Sequence, residues 1–325
     1  MIKLSTRGLL AAAAPLALLV IVAGAFTRLS DAGLGCPDWP ACYGQLIGVP
    51  DAATAAAHSP DWPLDPRKAW IEVGHRYIAG LLGLVLFAAA VLSLRSTPTG
   101  GKVMRNYAPT VLAVLVAGQA LLGMLTVTDR LRPLVVSSHL LGGLLIIATI
   151  AYALATRPPT RAPTILRIVA VLAAATLAMQ IFLGGWVSTN YAALACPDFP
   201  LCQNGWTPPV LDWRGFELER ALHKNMDGSP ISSAALATIH WVHRIGALVA
   251  SVVLSFFAIL LWRHGMRGGA VGLLVLLTAQ IALGIINVVA GLPIWAAVAH
   301  NGIAALLAAS VGALTAKLFT PSTAA

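Results

Sequence analysis

The sequence places a carboxylate and an imidazole one helical turn apart in the stretch Glu72-Val73-Gly74-His75-Arg76, near the start of its second apolar segment. Glu72 and His75 are three residues apart, so on a helix they share one face. Ionisable residues within membrane segments are costly and usually mark function. The related stretch His240-Trp241-Val242-His243-Arg244 begins the sixth apolar segment and has no glutamate. The repeated His-Arg pair and the single glutamate therefore predict two related sites with different chemistry.

The composition predicts the class of protein in which these residues lie. Of 325 residues, 58% are apolar and 10% are charged, which indicates an integral membrane protein. A membrane-spanning helix needs about 20 apolar residues. Eight stretches qualify and predict an all-α fold: 9–28, 70–94, 107–128, 135–156, 165–187, 238–262, 270–290 and 295–318.

The distribution of charge predicts the orientation. With eight spans both termini lie on one side of the membrane, and the basic residues of that side are accompanied by no acidic residue. They are Lys3, Arg7, Arg95, Lys102, Arg105, Arg157, Arg161, Arg167, Arg263, Arg267 and Lys317. Because basic residues are enriched in cytoplasmic loops, we expect both termini in the cytoplasm. This pattern explains most of the +9 net charge without a nucleic-acid partner.

The N-terminal segment has an alternative interpretation. Lys3 and Arg7 precede an apolar run and Ala23-Gly24-Ala25, which together could form a cleaved secretory signal. The apolar run is longer than a usual signal core, and the stretch after it has a counterpart after the fifth segment. We therefore expect a retained helix. The absence of an Arg- and Ser-rich transit peptide favours a bacterial inner membrane over an organelle.

The chain contains a long internal repeat. The stretch 33–42 aligns without gaps on 193–202, and both contain Cys-Pro-Asp-aromatic-Pro-x-Cys. His75-Arg76 aligns on His243-Arg244, and His139 aligns on His300. The landmarks follow in the same order, which predicts a tandem duplication of a four-helix bundle. The predicted halves are residues 1–160 and 161–325, joined by a linker at 157–164.

Each predicted half supplies two histidines from alternate segments at similar depth. His75 and His139 lie in the first half, and His243 and His300 in the second. Two imidazoles on facing helices of a bundle are a common arrangement for holding haem iron, so we expect haem in both halves. The alternatives are histidines that only hydrogen-bond within the bundle, or zinc, for which neither half offers a third ligand symmetrically.

The sequence leaves two alternatives open for several residues near the histidines. A guanidinium can bind a carboxylate bidentately, so Arg76 and Arg244 are predicted to bind haem propionates, or else to reach lipid headgroups. His240 stands where Glu72 stands in the first half, so either His240 or His243 could face the iron. Solvated roles are expected for His58, His223 and His264.

Cysteines and glutamines recur at repeated spacings. All four cysteines lie in the outer loops, on the oxidising face, and predict the disulfides Cys36–Cys42 and Cys196–Cys202; the alternative is a redox-active dithiol. Each of three Gln-x-x-Leu-Gly runs lies within a helix, where a packing role is favoured over direct haem contact. They begin at Gln119, Gln180 and Gln280.

Together these motifs resemble the haem A synthase family over nearly the whole chain. That family oxidises a ring methyl of haem O to the formyl group of haem A, the cofactor of aa3-type cytochrome oxidases. The resemblance implies that His243 and His300 hold a resident haem b, that His75 and His139 face the substrate haem O, and that Glu72 is the essential carboxylate. It also implies that a chain with both cysteine pairs is bacterial.

The first half is expected to be the reactive one, because only there does a carboxylate lie one turn from the histidine. Glu72 could accept a proton, orient water or stabilise positive charge at the ring methyl; alternatively it only pairs with Arg76. Competing functions are a di-haem b-type electron carrier and a haem-handling assembly factor or exporter. Expected partners are membrane lipid, haem O synthase and cytochrome oxidase assembly proteins, with a homo-oligomer as a further option.

Overall fold

The structure is a computed structural model that describes residues 5–95, 103–155 and 162–319. Within these ranges it confirms an all-helical fold with eight helices long and apolar enough to cross a membrane. Lys3, Lys102, Arg157, Arg161 and most of the predicted linker lie outside the described residues. The helices are α1 (Thr6–Leu29), α2 (Ala52–His58), α3 (Pro66–Leu94), α4 (Val103–Thr128), α5 (Pro133–Leu154), α6 (Thr164–Thr189), α7 (Ser233–Arg263), α8 (Arg267–Val289) and α9 (Ile294–Leu318), with a 3₁₀ turn at Trp213–Phe216.

Local sequence explains where the two histidine-bearing helices α3 and α7 begin. The Asp65 carboxylate accepts hydrogen bonds from the backbone N–H groups of the first turn of α3, and Pro66 starts the helix at a position that needs no N–H donor. The Ser232 hydroxyl caps α7 by accepting from the Ala235 N–H at 3.0 Å. Both helices are therefore fixed at the end that carries the site.

The helices pack in two groups of four with the same pattern of neighbours. In the first group α3 contacts α1 and α4, and α5 contacts α1 and α4; in the second group α7 and α9 each contact α6 and α8. The groups meet where α9 packs on α1 and α5, and α5 packs on α6. Many large apolar side chains on the outer surface are exposed, among them Leu84 at 70% and Val252 at 69%. Such a surface suits contact with lipid rather than water.

The seam between the two groups is close enough to bring backbone against backbone. A methyl group added at Gly312 of α9 would collide with the Ala148 carbonyl of α5. On the neighbouring contact, a methyl group at Gly185 of α6 would lie 3.4 Å from the Ser137 Cα atom of α5. Small residues allow such close approach of membrane helices. The seam is therefore defined by main-chain contacts.

Polar contacts join the C-terminal ends of α1 and α6. The Arg28 guanidinium donates to the Ser188 carbonyl at 2.7 Å and lies 4.2 Å from the centre of the Tyr191 ring. The Tyr191 hydroxyl donates to the Asp31 carboxylate at 2.8 Å. The first apolar segment thus packs in the bundle and is joined to α6 by polar contacts, which supports its interpretation as a retained helix.

The longer loop between α6 and α7 is held by its own polar contacts. Asp212 accepts from Arg214 at 2.9 Å and from the Ser232 hydroxyl at 2.7 Å. Hydrogen bonds from Arg214, and then from Ser232, hold the pKa of the Asp212 carboxyl well below its usual range. The Trp186 indole of α6 donates to the Gly215 carbonyl at 2.9 Å. These contacts hold the loop against the C-terminal end of α6 and the N-terminal end of α7.

Candidate haem and redox site

Two loops of the same construction cover the N-terminal ends of α3 and α7. The sulfur atoms of Cys36 and Cys42 are 2.07 Å apart, and those of Cys196 and Cys202 are 1.94 Å apart. The cysteine pairing expected from the sequence agrees with these distances. In each loop an aspartate carboxylate accepts from backbone N–H groups just after the second cysteine. Each disulfide loop is therefore a small closed unit that must be fastened to its helix.

In the first loop, the Glu72 side chain attaches the loop to α3. Its side chain is only 5% exposed. Its Oε2 atom accepts from the Cys36 N–H at 3.0 Å, and its Oε1 atom accepts from the Arg76 guanidinium at 2.5 Å. Arg76 also donates to the carbonyls of Ala41 at 2.6 Å and Asp38 at 3.0 Å. The ion pair considered as an alternative for Glu72 is thus present, and it serves to hold the loop.

In the second loop, His240 takes the place of Glu72. The Cys196 N–H points at His240 Nδ1 at 3.3 Å, and the Arg244 Nε–H points at His240 Nε2 at 3.2 Å. Arg244 donates to the carbonyls of Asp198 at 2.8 Å and Leu201 at 2.7 Å. His240 therefore corresponds to Glu72 in position, and both of its ring nitrogens face N–H donors, of which a neutral imidazole accepts one. This leaves His243 as the counterpart of His75.

Replacing Arg76 with lysine is expected to loosen the first loop. Lysine carries its charge on one ammonium group and cannot form the planar fork that meets Glu72 and two carbonyls together. Losing one hydrogen bond of a charged group costs about 1.5–3 kcal/mol. We expect faster reduction of the Cys36–Cys42 disulfide by dithiothreitol than in an Arg132→Lys control, because Arg132 is 44% exposed and lies 3.7 Å from its partner Asp129. Unchanged haem content in Arg76→Lys would count against the propionate role of Arg76.

A cavity of about 800 Å³ lies beneath the first loop. It is within the range of about 300–1,000 Å³ found for small-molecule and cofactor sites. Its wall is largely apolar and includes Glu72 and His75 of α3, His139 of α5 and Arg28 of α1. The structure thus brings together all the residues predicted for the first-half site, including Arg76.

The two histidines of this cavity have the free ring nitrogens that a metal ligand needs. The Nδ1 atoms of His75 and His139 are buried and have no hydrogen-bond partner among the described residues. Leaving a buried polar atom unpaired costs about 1–3 kcal/mol, so such atoms call for a ligand or a functional reason. Among the described residues, no three His, Cys, Asp or Glu side chains are grouped as a bare metal ion would require. Two isolated imidazoles facing one cavity fit an iron macrocycle better.

Each of the four histidines packs against a glycine of the neighbouring helix. A methyl group built on Gly24 of α1 would lie 2.9 Å from His75 Cε1, and one on Gly184 of α6 would lie 3.1 Å from His243 Cε1. The corresponding distances are 3.5 Å for Gly123 against His139 and 3.3 Å for Gly284 against His300. The glycines leave room for the imidazole rings to stand between helices. This is the feature that positions all four candidate ligands alike.

The second-half histidines also fit a haem site, with one difference. His300 Nδ1 is buried and has no partner among the described residues. The amide of Gln180 lies 3.0 Å from His243 Nδ1, and the amide of Gln280 lies 3.0 Å from His300 Nε2. Where the amide oxygen accepts from the facing ring N–H, the opposite ring nitrogen is left for a ligand. The sequence singled out both the histidines and the glutamines, but favoured a packing role for the glutamines and did not predict their contact with the histidines.

Sequence reasoning missed three parts of the site. Arg28 was not identified, although a lone arginine in the last turn of an apolar helix is an unusual enough placement to be noticed; its Nε is buried without a partner among the described residues. The fastening roles of Glu72 and His240 depend on the distant backbone atoms of the loops. The glycine contacts also lie between helices far apart in sequence. No local pattern reports such contacts.

Comparison with known proteins identifies the family. A sequence profile described as cytochrome oxidase assembly protein, COX15-CtaA, matches residues 7–311. The chain belongs to the COX15-CtaA family. A COX15-CtaA relative from Shewanella oneidensis, named Heme A synthase, is 44% identical over 89% of this chain and 89% of its own length. Proteins of the same name from Sphingopyxis alaskensis and Shouchella clausii are 27% and 26% identical, over 94% and 83% of this chain. The predicted resemblance is confirmed, and the family is one of haem-associated bacterial membrane proteins.

Proposed function

We propose that this protein is a haem A synthase, a multi-pass enzyme of the bacterial inner membrane that oxidises a ring methyl of haem O to the formyl group of haem A. The observation that carries the proposal is one cavity holding two imidazoles with unpartnered nitrogens and a buried carboxylate, Glu72. The relatives named Heme A synthase cover nearly the whole chain. This agreement favours an enzyme over an electron carrier or an assembly factor without catalytic activity.

The first-half cavity is assigned to the substrate. His75 and His139 would hold the iron of haem O, and the apolar lining suits both the ring and its prenyl chain. Oxidation of a methyl to a formyl group with oxygen from water releases four protons and four electrons, and the electrons must pass to an external acceptor. Glu72 lies on the cavity wall one turn from His75. A carboxylate placed there accepts a proton or stabilises positive charge that develops at the methyl group. Glu72 is therefore assigned as the catalytic carboxylate.

The second half is assigned to a resident haem b. Its ligands would be His243 and His300, whose positions against Gly184 and Gly284 repeat those of the first half. When bound there, haem b supplies one-electron transfer. His240 contributes no carboxylate and is engaged by Cys196 and Arg244. We therefore assign substrate oxidation to the first half alone.

The architecture is interpreted as a tandem duplication with both termini in the cytoplasm. The repeated helix contacts, the paired disulfide loops and the matching glycine–histidine contacts support halves at 1–160 and 161–325. In this orientation the loops face the oxidising compartment. Haem O synthase as donor, cytochrome oxidase assembly proteins as recipients, and a homo-oligomer remain parts of the proposal.

Propionate binding is assigned first to Arg76 and Arg244, and now also to Arg28. The first two guanidinium groups are occupied by loop carbonyls, so binding a propionate would require them to share donors. Arg28 lines the cavity and keeps a buried Nε without a partner among the described residues. Loss of haem O from Arg28→Gln, with resident haem b kept, would support this assignment; equal haem content would oppose it.

Co-expression with a haem O synthase tests the function directly. We expect the purified protein to contain haem b together with haem O and haem A, identified by extraction and mass analysis. Expression without the synthase should leave haem b as the pigment, and this preparation is the matched control. Haem b alone in both preparations would instead support the electron carrier.

A further inference from the structure

Four glycines pack against the four candidate histidines. Three of them are preceded by a glutamine four positions earlier in the same helix, and one is not. Glutamine precedes Gly184, Gly284 and Gly123, as Gln180, Gln280 and Gln119. Before Gly24 the same position is Val20. Residues four apart lie one turn from each other on the same helix face, so each of these side chains is directed toward the contact that its glycine makes. His75 is therefore the one candidate ligand with an apolar neighbour in this place.

At His243 the glutamine makes a direct contact. The Gln180 Nε2 atom lies 3.0 Å from His243 Nδ1 and donates to the His243 carbonyl at 3.1 Å. Its Oε1 atom is buried and has no partner among the described residues. A half-turn of the amide exchanges its oxygen and nitrogen, so the same group can accept a hydrogen bond from an imidazole N–H. With the oxygen turned toward Nδ1–H, the amide holds the proton on Nδ1 and leaves Nε2 with a free lone pair for a ligand.

At His75 no such contact is available. Val20 lines the substrate cavity and has no hydrogen-bonding side-chain atom, so it cannot pair with the second ring nitrogen of His75 as a glutamine amide could. Partners that hydrogen-bond the second nitrogen of a ligating histidine fix its tautomer and orientation and make it a more basic ligand. A histidine that lacks one binds metal more weakly and turns more freely.

We propose that Gln180 fixes His243 as a permanent haem ligand, and that Val20 leaves His75 a weaker one, so that the first half can release its haem. This rests on the proposed function, because a synthase must discharge its product while keeping its resident cofactor. Gln180 is a positioning residue in this scheme, acting through His243. The difference between the halves then lies at one equivalent position, which is Val20 in α1 and Gln180 in α6.

Gln180→Val and Gln180→Glu test the second-half part, with Met179→Leu as control because Met179 is 60% exposed on the same helix. Protein made without haem O synthase is used, so only resident haem b is measured. In Gln180→Val we expect haem b to dissociate about 10- to 100-fold faster and its reduction potential to rise, since a less basic ligand stabilises ferric iron less. Gln180→Glu, a stronger acceptor, should lower the potential below that of the unaltered protein.

Val20→Gln tests the first-half part in protein co-expressed with haem O synthase. We expect haem O and haem A to be retained longer during purification and dilution, with haem b unchanged. The proposal is overturned if Gln180→Val matches Met179→Leu in potential and dissociation rate. It is also overturned if Val20→Gln releases its haems at the unaltered rate. Absence of haem A from every preparation would refute the proposed function instead, while the potential of haem b would still report on Gln180.

Discussion

Glu72→His is expected to stop haem A formation while leaving the first disulfide loop in place. The second half shows that a histidine at this position can meet the cysteine N–H and the arginine, as His240 does with Cys196 and Arg244. The substituted side chain should therefore still fasten the loop, yet it removes the carboxylate. General acid–base groups contribute about 10²- to 10⁴-fold to rate, and we expect a loss in that range.

The measurement is the ratio of haem A to haem O in the extracted pigments, together with thiol labelling of Cys36 and Cys42. The matched control is His240→Glu, which places a carboxylate in the second half. It should keep haem b and haem A formation, because the substrate is not bound there. Full activity in Glu72→His would show that Glu72 only fastens the loop. Free thiols in Glu72→His would show that histidine does not hold the disulfide loop as glutamate does. The haem A to haem O ratio would then be compared between the unaltered protein and Glu72→Gln.

Gly24→Ala is expected to remove haem from the first half without unfolding the protein. The added methyl group would lie 2.9 Å from His75 Cε1 and 3.2 Å from His75 Nε2, so the imidazole must turn away. Alanine is otherwise favoured over glycine within a helix by roughly 0.5–1 kcal/mol. A loss of haem O would therefore be due to displacement of His75, and we expect affinity to fall by about 10- to 100-fold, as when groups that orient a metal ligand are altered.

Gly184→Ala provides the mirror experiment, because its methyl group would lie 3.1 Å from His243 Cε1. It should release haem b and spare haem O. Gly272→Ala on α8 is the neutral control, since no atom of the residues that the structure describes lies within 4 Å of the added methyl group. Haem content is measured by pyridine haemochrome after purification. If Gly24→Ala and Gly184→Ala lower the same haem, the assignment of one haem to each half is wrong.

Much of the fold could be predicted because a bilayer restricts the sequence strongly. Apolar stretches of sufficient length can hardly be anything but spanning helices, and the eight predicted spans agree with α1 and α3 to α9 within a few residues. The disulfide pairing was predictable for a similar reason, since Cys36 and Cys42 are close in sequence and share one outer loop.

The site was predictable only in part. Residue type and repetition identified His75, His139, His243 and His300, because polar groups in apolar helices are conspicuous. The role of His240 could not be decided from spacing, since one helical turn separates it from His243 and both could face the same side. Only the contact with the Cys196 backbone, 44 residues away, shows which of them fastens the loop. Contacts of this kind depend on how helices pack, and packing is not encoded locally.

The close approach of Gly312 to the Ala148 carbonyl has a consequence for the rate of electron transfer between the two proposed haems. Where main chain rests on main chain, no side-chain rotamer sets the spacing, so the two groups of helices are held closely at this point. An electron passing between the two proposed haems would then cross a nearly fixed distance. The rate of this transfer would be set by its driving force rather than by fluctuations in the spacing of the helices. A bulky side chain at residue 312 would widen that gap and slow the transfer with every histidine untouched.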